Sequence, residues 1–540
     1  MYLIVTASSD AYIQNKIIGN AYRTTDANTG LAGTLDLFKL YGESTLPGDE
    51  AAGAASTYAL DTDSDGTPET SVELSRILIK FDYDKLNTHI RKNLDVTHSS
   101  FKAYLSLSAI SAGQFTPKDF TVDVFPLAQS FNEGVGRDVI SFKDLDGCNF
   151  LTASFSGATV NAWNTSGAGA LGALGAENLD AYSTANFGSG VTNIKGSQNF
   201  TEGGEDLRVD VTHLVSASLT SQLTNHGFRI GFTASEETDS KTRFVKRFAS
   251  RHSKNPYLRP ALHVFWDDTI TDNTENAVFD HANELYFQNY LRGSEANLKI
   301  GATTFSGENC LRLVVTTGSY SSTVNVSSVT GNTPTGDPHV RASRPGLYSA
   351  TFTVNSDDAT VVRSGQAYED KITDFAFKSG SLAFTTMWQT PAGVTFHSGS
   401  VVLKQTDRYQ GNFTSRTPEV SIINLADQYR NTDTARLRLF GRDLEAEYNE
   451  KYGTVPQKRK SVIYDEVYYK VIDALTGDVA IPENRAQNGT RVSTDASGMF
   501  FDLDMSSLHV GRNYYFVYSV LERGTETILK AKEVTFKVVG

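Results

Sequence analysis

Residues 74–81 read Leu-Ser-Arg-Ile-Leu-Ile-Lys-Phe. Outward and inward positions alternate along this run, with Leu74, Arg76 and Ile77 interrupting a strict alternation, and the pattern is typical of a β-strand. A strand this rich in apolar side chains is expected in the middle of a sheet, where neighbouring strands cover it. The run therefore predicts a central strand near the start of an all-β protein.

The same period of two residues recurs along the whole chain, at residues 228–232, 311–316 and 514–521. Helical periodicity is scarce: residues 275–285 form the best candidate, and they could equally be a loop that leads into a strand at 285–290. The 24 Tyr and 31 Phe against 4 Met favour pleated, half-buried surfaces, and 43 Gly against 13 Pro suit short strands joined by tight turns.

Changes in composition divide the chain into three predicted β-sandwich domains. A polar stretch at residues 267–273 ends the first domain, and Gly/Thr/Pro-rich residues 331–337 form a loop within the second. Residues 165–190, rich in Gly, Ala and Ser, predict a long loop that either has a function or has simply drifted in sequence. The predicted domains are 1–268, 275–406 and 415–540.

The net charge of −13 argues against general nucleic-acid binding, because a surface of that sign repels phosphates. Two short basic stretches qualify this view, and we interpret them as a solvated strand face and a solvated turn. They consist of Arg243, Lys246, Arg247, Arg251 and Lys254, and of Lys458, Arg459 and Lys460.

The sequence predicts neither membrane insertion nor a secretion signal. The chain starts MYLIVTASSDAYIQ, which has no basic leader and only a short apolar run. No segment reaches the roughly 20 apolar residues that a membrane-spanning helix needs. Cys148 and Cys310 are too few and too far apart for a disulfide framework. These features fit assembly in a reducing cytoplasm and a fold held by core burial.

The sequence contains one cluster that suggests metal chemistry. Asp61, Asp63 and Asp65 alternate before Gly66, and such a turn can gather the oxygen ligands of calcium. An EF-hand loop would also need a bidentate Glu at the position that Val72 occupies. The alternative is an exposed acidic turn, so the three aspartates are weak calcium candidates and no other cofactor is expected.

No catalytic residue can be assigned from the sequence. It lacks a GxSxG elbow, an HExxH motif, a P-loop and a dinucleotide fingerprint. Trp163 could belong to a sugar-binding platform, but core packing is the favoured role for it, as it is for Trp266 and Trp388. His263 lies on an apolar strand and is interpreted as structural. We therefore expect a protein that is not an enzyme.

Residues 75–82, SRILIKFD, resemble the strand with the pattern RxLIKFD in DNRLRE-type β-sandwich domains. The resemblance covers about half of the chain, and it departs from the family at Phe131, where the family often has Trp. Further segments follow in the family's order, at 101–108, 123–136, 206–215, 227–232 and 259–266. Residues 468–481, 489–501 and 508–518 are similar to terminal modules of virion proteins from marine tailed phages.

This resemblance implies a jelly-roll-like N-terminal sandwich followed by immunoglobulin- or fibronectin-like sandwiches, and it implies no catalytic residues. The expected function is structural, in the tail, baseplate or neck of a virion assembled in the host cytoplasm. The expected partners are other virion proteins and copies of the chain itself. One alternative is an adhesin whose first domain binds host surface glycans, and another is a polysaccharide-degrading enzyme.

Overall fold

A computed structural model describes the chain in the following ranges: 1–19, 22–43, 59–60, 70–90, 94–113, 117–137, 147–157, 159–187, 191–328, 344–355, 360–361, 370–372, 381–404, 417–444, 461–522 and 524–540. The chain forms two compact units. We call Ile4–Asn87 with Lys102–Val264 the N-terminal unit, and Met1–Leu3, Thr88–Phe101 and Phe265–Gly540 the C-terminal unit. This division does not test the three predicted domains, which remain a prediction.

The N-terminal unit is built almost entirely from strands. Its helices are short: α1 is Asp84–Ile90, α2 is Thr212–Leu219 and α3 is Ala234–Thr238. The strands are β1 Tyr2–Gln14, β2 Ile17–Ile18, β3 Tyr22–Arg23, β4 Thr34–Tyr41, β5 Ala59–Leu60, β6 Thr70–Phe81, β7 Lys102–Leu107, β8 Phe120–Pro126, β9 Thr152–Ser156, β10 Thr159–Ala162, β11 Leu171–Ala173, β12 Ala181–Asn186, β13 Val191–Asn193, β14 Gly196–Phe200, β15 Leu207–Asp210, β16 Phe228–Phe232, β17 Arg243–Ala249 and β18 Ala261–Phe265.

Strand β6 lies at the centre of the main sheet, as the sequence predicts. Its Ile79 is in register with Asp10 of β1 on one side and with Phe228 of β16 on the other. The earlier part of β6 pairs with β4, where Leu74 is opposite Lys39. Ile77, Leu78 and Ile79 are all fully buried. Consecutive residues point to opposite faces of a strand, so both faces are covered, which explains the imperfect alternation in the sequence.

Aromatic rings show that this sheet folds over into two layers. The rings of Phe120 in β8 and Phe200 in β14 stack with centroids 4.8 Å apart. The ring of Phe200 also packs against that of Phe248 in β17, at 6.4 Å, although β14 and β17 are not hydrogen-bonded neighbours. Ring contacts between non-neighbouring strands require two facing sheets, which is the arrangement of a β-sandwich.

The C-terminal unit continues the all-β architecture. Its first strands, up to residue 404, are β19 Asn283–Gln288, β20 Tyr290–Leu291, β21 Ser294–Glu295, β22 Lys299–Ile300, β23 Thr303–Thr304, β24 Leu311–Thr317, β25 Tyr320–Ser328, β26 Leu347–Phe352, β27 Thr360–Val361, β28 Asp370–Lys371, β29 Ser381–Gln389 and β30 Thr395–Lys404. The remaining strands are β31 Pro418–Ile422, β32 Gln428–Arg430, β33 Thr434–Asp443, β34 Glu466–Asp473, β35 Val479–Ile481, β36 Ser493–Asp495, β37 Gly498–Asp504, β38 Asn513–Glu522, β39 Thr525–Lys530 and β40 Phe536–Val539.

The sheet β19–β26–β25–β24–β29–β30 curls around a core of its own. Phe287 belongs to its first strand, yet its ring lies 5.6 Å from that of Trp388 in β29 and 5.5 Å from that of His397 in β30. The sheet therefore closes over these rings. Of the helix candidate at 275–285, residues 275–282 form turns and bends and residues 283–285 begin β19, so the alternative of a loop that leads into a strand is confirmed.

The last part of the chain is a two-sheet sandwich. In the described ranges one sheet has the order β31–β33–β37–β36, and the other has the order β32–β40–β38–β34–β35 with β39 attached to β38. Phe501 of the first sheet stacks on Tyr469 of the second at 4.2 Å and meets Phe516 at 5.5 Å. Gly477 and Gly498 take positive φ values of 78° and 113° in turns between strands. A side chain at either position would be strained.

The predicted fold class, an all-β chain of tandem β-sandwiches, is confirmed. Within the described ranges, none of the helices has the length and the apolar character that a membrane crossing requires.

Candidate functional site

Two of the residue clusters that the sequence singles out lie outside the described residues. They are the calcium candidates Asp61, Asp63 and Asp65, and the basic turn at 458–460. The Gly/Thr/Pro-rich loop at 331–337 also lies outside these ranges. The calcium site therefore stays a prediction.

The three tryptophans are core residues, as the sequence analysis favours. Trp163, Trp266 and Trp388 are 5%, 1% and 3% exposed. The indole N–H of Trp163 donates to the backbone oxygen of Asn149 at 2.9 Å. An indole buried in this way offers no platform to a sugar, so the side chain that seemed the best glycan candidate in the first predicted domain is part of the fold.

Residues 165–187 form a more ordered segment than the predicted long loop. They contain β11 and β12, which pair in parallel, and the segment is arranged around the buried carboxylate of Asp180. Its Oδ1 accepts hydrogen bonds from the backbone N–H of Asn164 and the amide of Gln129, and its Oδ2 accepts from the backbone N–H groups of Thr165 and Ala170. A carboxylate that accepts this many bonds fixes a loop locally. The feature of the sequence that marks this ordered segment is Asp180, the single Asp that follows the Gly/Ala-rich run.

The interpretation of residues 243–254 as a solvated basic face is wrong for Arg243 and Lys246, whereas Arg247 and Arg251 are partly exposed and Lys254 is exposed. Arg243 is 7% exposed and Lys246 is 1% exposed, whereas Phe244 is 47% exposed. The strand β17 thus turns its cations inward and a phenyl ring outward. Cations can occupy these positions because the fold provides partners for them. Arg247, for example, forms a bidentate pair with Asp36, at 2.8 and 2.6 Å. Sequence alternation cannot reveal Asp36 as a partner, because it lies 211 residues from Arg247 along the chain.

Lys246 is the most deeply buried of these cations. Its Nζ donates to the backbone oxygens of Gly203 and Glu205 at 2.8 and 2.7 Å, and it lies 5.2 and 5.1 Å from the ring centroids of Phe200 and Phe248. Burial lowers the pKa of the Lys246 ammonium to about 8, although Glu205 and Asp206 oppose the shift. The cation is therefore held by carbonyl dipoles and aromatic faces.

Two buried ion-pair networks cross-link the N-terminal unit. In the first, Arg76 of β6 binds the carboxylate of Glu237 in α3 with Nε at 3.0 Å and Nη2 at 2.6 Å, and its Nη1 donates to Gly167 O at 2.6 Å. Burial alone would raise the pKa of Glu237, but Arg76 and Arg229 lower it below its usual range. In the second network, Asp239 bridges Lys39 and Arg243. These bonds tie a short helix and its flanks to the sheet.

A third cluster combines two carboxylates and an imidazole. Asp10 lies in β1, Glu133 follows β8 and His252 follows β17, and one ligand atom from each lies within 4.8 Å of the other two. Asp10 is 1% exposed, and neither its Oδ1 nor the Nε2 of His252 has a hydrogen-bond partner in the described ranges. Burial raises the pKa of Asp10 to about 7, opposed by a hydrogen bond from the backbone N–H of Arg251. The sequence analysis did not single out this cluster, because its members are scattered along the chain.

A cavity of about 580 Å³ opens in the C-terminal unit. Its volume is in the range of small-molecule sites. Arg436 forms a bidentate pair with Asp502, at 2.8 Å for both bonds, which raises the pKa of the guanidinium. The residues that line the cavity include Tyr290, Ser294, Glu295, Arg344, Arg436 and Asp502.

The opposite wall of this cavity carries polar atoms that are not fully paired. Arg344 is 4% exposed, and its Nη2 lies 3.7 Å from Oε1 of Glu295. The Nε of Arg344 and the Oε2 of Glu295 are buried and have no hydrogen-bond partner in the part of the chain that the structure describes. The phenol ring of Tyr290, 50% exposed, lies beside them with its hydroxyl 3.5 Å from Arg436 Nη1. The cavity thus offers a donor, an acceptor and an aromatic face.

Comparison with known proteins gives little beyond the fold. No family model matches the chain, and no curated protein matches it. Among solved structures, the fibronectin(III)-like modules of Clostridium thermocellum CbhA share 10% identity over 51% of this chain and 93% of theirs, with a TM-score of 0.13. The chicken CNTN1 FN1–FN3 domains share 8% identity over 56% of this chain and 85% of theirs, with a TM-score of 0.11. The BSP domain of a biofilm associated protein shares 8% identity over 99% of this chain and 96% of its own, with a TM-score of 0.16.

Likenesses with such TM-scores carry no argument about activity, ligands or partners. The assignment of β-sandwiches rests on the sheets and ring contacts of the chain itself.

Proposed function

We propose that the chain is a non-enzymatic structural component of a tailed-phage virion, placed on the tail, baseplate or neck. Its task is to hold neighbouring virion proteins, including copies of itself, at fixed spacing. The resemblance of residues 75–82 and of the segments that follow them to DNRLRE-type domains points to this class, and the C-terminal segments point to its phage members. The sandwiches described above provide suitable rigid elements.

The observation that carries the proposal is the cross-linking of the N-terminal unit by ion pairs that are buried or partly buried. Arg76 and Glu237 are 161 residues apart in the chain, and Arg247 and Asp36 are 211 residues apart. Charge-assisted bidentate bonds of this kind set the relative position of the segments that they join. A protein that transmits load needs segments that do not slide past one another. Its binding energy in the assembly comes from broad contacts with neighbouring proteins.

The proposal is tested by quantitative mass spectrometry of purified particles and of the infected-cell lysate. We expect peptides of this chain to co-purify with the particle at a fixed ratio to the major capsid protein. A non-structural protein encoded beside it serves as the control and should be depleted. Presence of the chain in the lysate but never in particles would overturn the proposal.

A second candidate function is glycan binding, and the cavity of the C-terminal unit favours it. Two arginines and two carboxylates balance in charge there, while the exposed ring of Tyr290 and the unpartnered polar atoms of Arg344 and Glu295 remain available. A neutral polyhydroxylated ring presents both an apolar face and hydroxyl groups, and these groups match such a set. Tyr290, Glu295 and Arg344 lie outside the first predicted domain, although Met1 and His89 also line the cavity.

Binding of the whole chain to a glycan array tests this second function. We expect Tyr290→Ala to abolish binding because it removes the aromatic face. Leu291→Ala is the matched control, since Leu291 is the next residue, is 63% exposed and does not line the cavity. Equal loss in both variants, or an array without any signal, would remove glycan binding as a candidate.

A further inference from the structure

The cluster of Asp10, Glu133 and His252 brings a buried carboxylate and an imidazole together with open coordination positions. Among the residues that the structure describes, Asp10 Oδ2 accepts from the backbone N–H of Arg251 at 2.6 Å, whereas Oδ1 has no hydrogen-bond partner. The Nε2 of His252 is likewise buried without a hydrogen bond. A buried oxygen without a donor costs free energy, so the arrangement calls for a group that interacts with both atoms.

The charges of the cluster do not balance. Asp10 and Glu133 supply two carboxylates, and Arg251 supplies one guanidinium, which binds Glu133 through Nε–Oε1 at 2.5 Å and Nη2–Oε2 at 2.6 Å. Arg251 thus binds Glu133 and also attracts Asp10, which is 1% exposed, so one guanidinium faces two carboxylates. A bound cation would compensate a buried carboxylate.

The spacing of the ligand atoms suits a small transition-metal ion. Glu133 Oε1 and His252 Nε2 lie 3.6 Å apart. Two ligands of a tetrahedral zinc ion, with bonds of about 2.0–2.1 Å, lie about 3.4 Å apart. One ligand atom from each of the three residues lies within 4.8 Å of the other two, so closure around an ion needs shifts of up to about 1.4 Å.

We propose that Asp10 Oδ1, Glu133 Oε1 and His252 Nε2 form a binding site for a divalent transition-metal ion of the zinc class, with water completing the coordination. Mixed imidazole and carboxylate ligands favour such ions over the softer ions that select thiolates. Arg251 holds the carboxylate of Glu133 in place, as an outer-shell partner does. His252 is 28% exposed and provides the route from solvent. The ion would join β1 to the segments after β8 and β17.

Equilibrium dialysis of the full, tag-free chain against Zn²⁺, with metal analysis by mass spectrometry, tests the site. We expect wild-type protein to retain one more zinc ion than Asp10→Asn or His252→Gln. The loss of a residue that contacts only a ligand typically weakens metal binding roughly 10- to 100-fold, and each of these two variants should weaken binding at this site by more than that. Zinc should also raise Tm in wild type and not in these two variants. Substitution with Co²⁺ should give visible absorption bands that His252→Gln lacks.

His226→Gln is the matched control, because His226 is a half-buried histidine of the same unit that does not belong to the cluster. It should bind zinc as wild type does, as should a variant with Asp61, Asp63 and Asp65 all changed to Asn. Position 252 is partly exposed, so His252→Gln is expected to fold even if Asp10→Asn does not. Equal zinc retention and equal Tm shifts in wild type and His252→Gln would overturn the proposal.

Discussion

The imidazole Nε2 of His89 and the carboxylate Oδ2 of Asp504 lie 2.9 Å apart, although 415 residues separate them in the chain. Their side chains are 2% and 1% exposed. Burial alone would raise the pKa of Asp504, but hydrogen bonds from His89 and Ser506 lower it below 3.8. This pair connects the segment Thr88–Phe101 to the last sandwich of the C-terminal unit.

We predict that His89→Ala lowers the free energy of unfolding by about 3 kcal/mol, because it removes the imidazole that is bonded to Oδ2 of the buried Asp504 carboxylate. Urea unfolding at pH 7 measures the change. His281→Ala is the control, since His281 is exposed in the same unit and its loss should change the value little. A cost for His89→Ala no larger than that of the control would mean that the contact contributes nothing.

Acid should weaken the same contact. The folded-state pKa of Asp504 is lowered, so its contribution to stability is complete above the unfolded pKa and is lost as the pH falls through the folded value. The difference in stability between wild type and Asp504→Asn should therefore be large at pH 6 and shrink below about pH 3.8. Unfolding curves of both proteins at several pH values provide the check.

We predict strong coupling between Arg76 and Glu237 in the N-terminal unit. Arg76→Met removes the guanidinium that binds the carboxylate of Glu237. Glu237→Gln leaves the cations Arg76 and Arg229 facing each other. Each substitution should therefore lower the free energy of unfolding by about 3 kcal/mol. The double variant should cost less than the sum of the two, because it removes both charges at once. A double-mutant cycle by urea unfolding measures the coupling, and additive costs would contradict it.

Lys246 should make the stability rise with pH in mildly alkaline solution. Its pKa is about 8 in the folded protein and 10.5 without the fold, so the unfolded chain binds more protons between these values. The free energy of unfolding should increase by about 2 kcal/mol between pH 8 and 9.5 relative to Lys246→Met. Lys254→Met, at an exposed position of the same basic stretch, should retain the wild-type slope.

The two cysteines should behave as free thiols of unequal reactivity. Cys148 is buried, and burial raises the pKa of the half-buried Cys310, so both should react slowly with Ellman's reagent in the folded protein. We expect Cys310→Ser to remove most of the slow reaction that remains, and unfolding in urea to expose both thiols of wild type. The sequence and the structure both indicate that the two cysteines form no disulfide. A chain that shows no reactive thiol after denaturation without a reductant would contradict this.

The strands could be predicted from the sequence because alternation is local. Residues 74–81 carry their own signal for a buried central strand, and the turns at Gly477 and Gly498 are visible as Gly-containing breaks between strong strands. Burial of the tryptophans followed from the same patterns. Each of these properties depends on a residue and its near neighbours, which the sequence displays directly.

Partners of the charged residues could not be predicted in this way. The sequence predicts solvated cations in β17, but the fold places Asp36 beside Arg247. Asp10 and Glu133 likewise meet although they are 123 positions apart in the chain. The cavity lined by Arg344 and Asp502 also joins distant parts of the chain. Local alternation reports which side chains are apolar, but the desolvation and pairing of a charge depend on which strands face each other. Only the folded chain specifies those neighbours, and therefore its candidate sites.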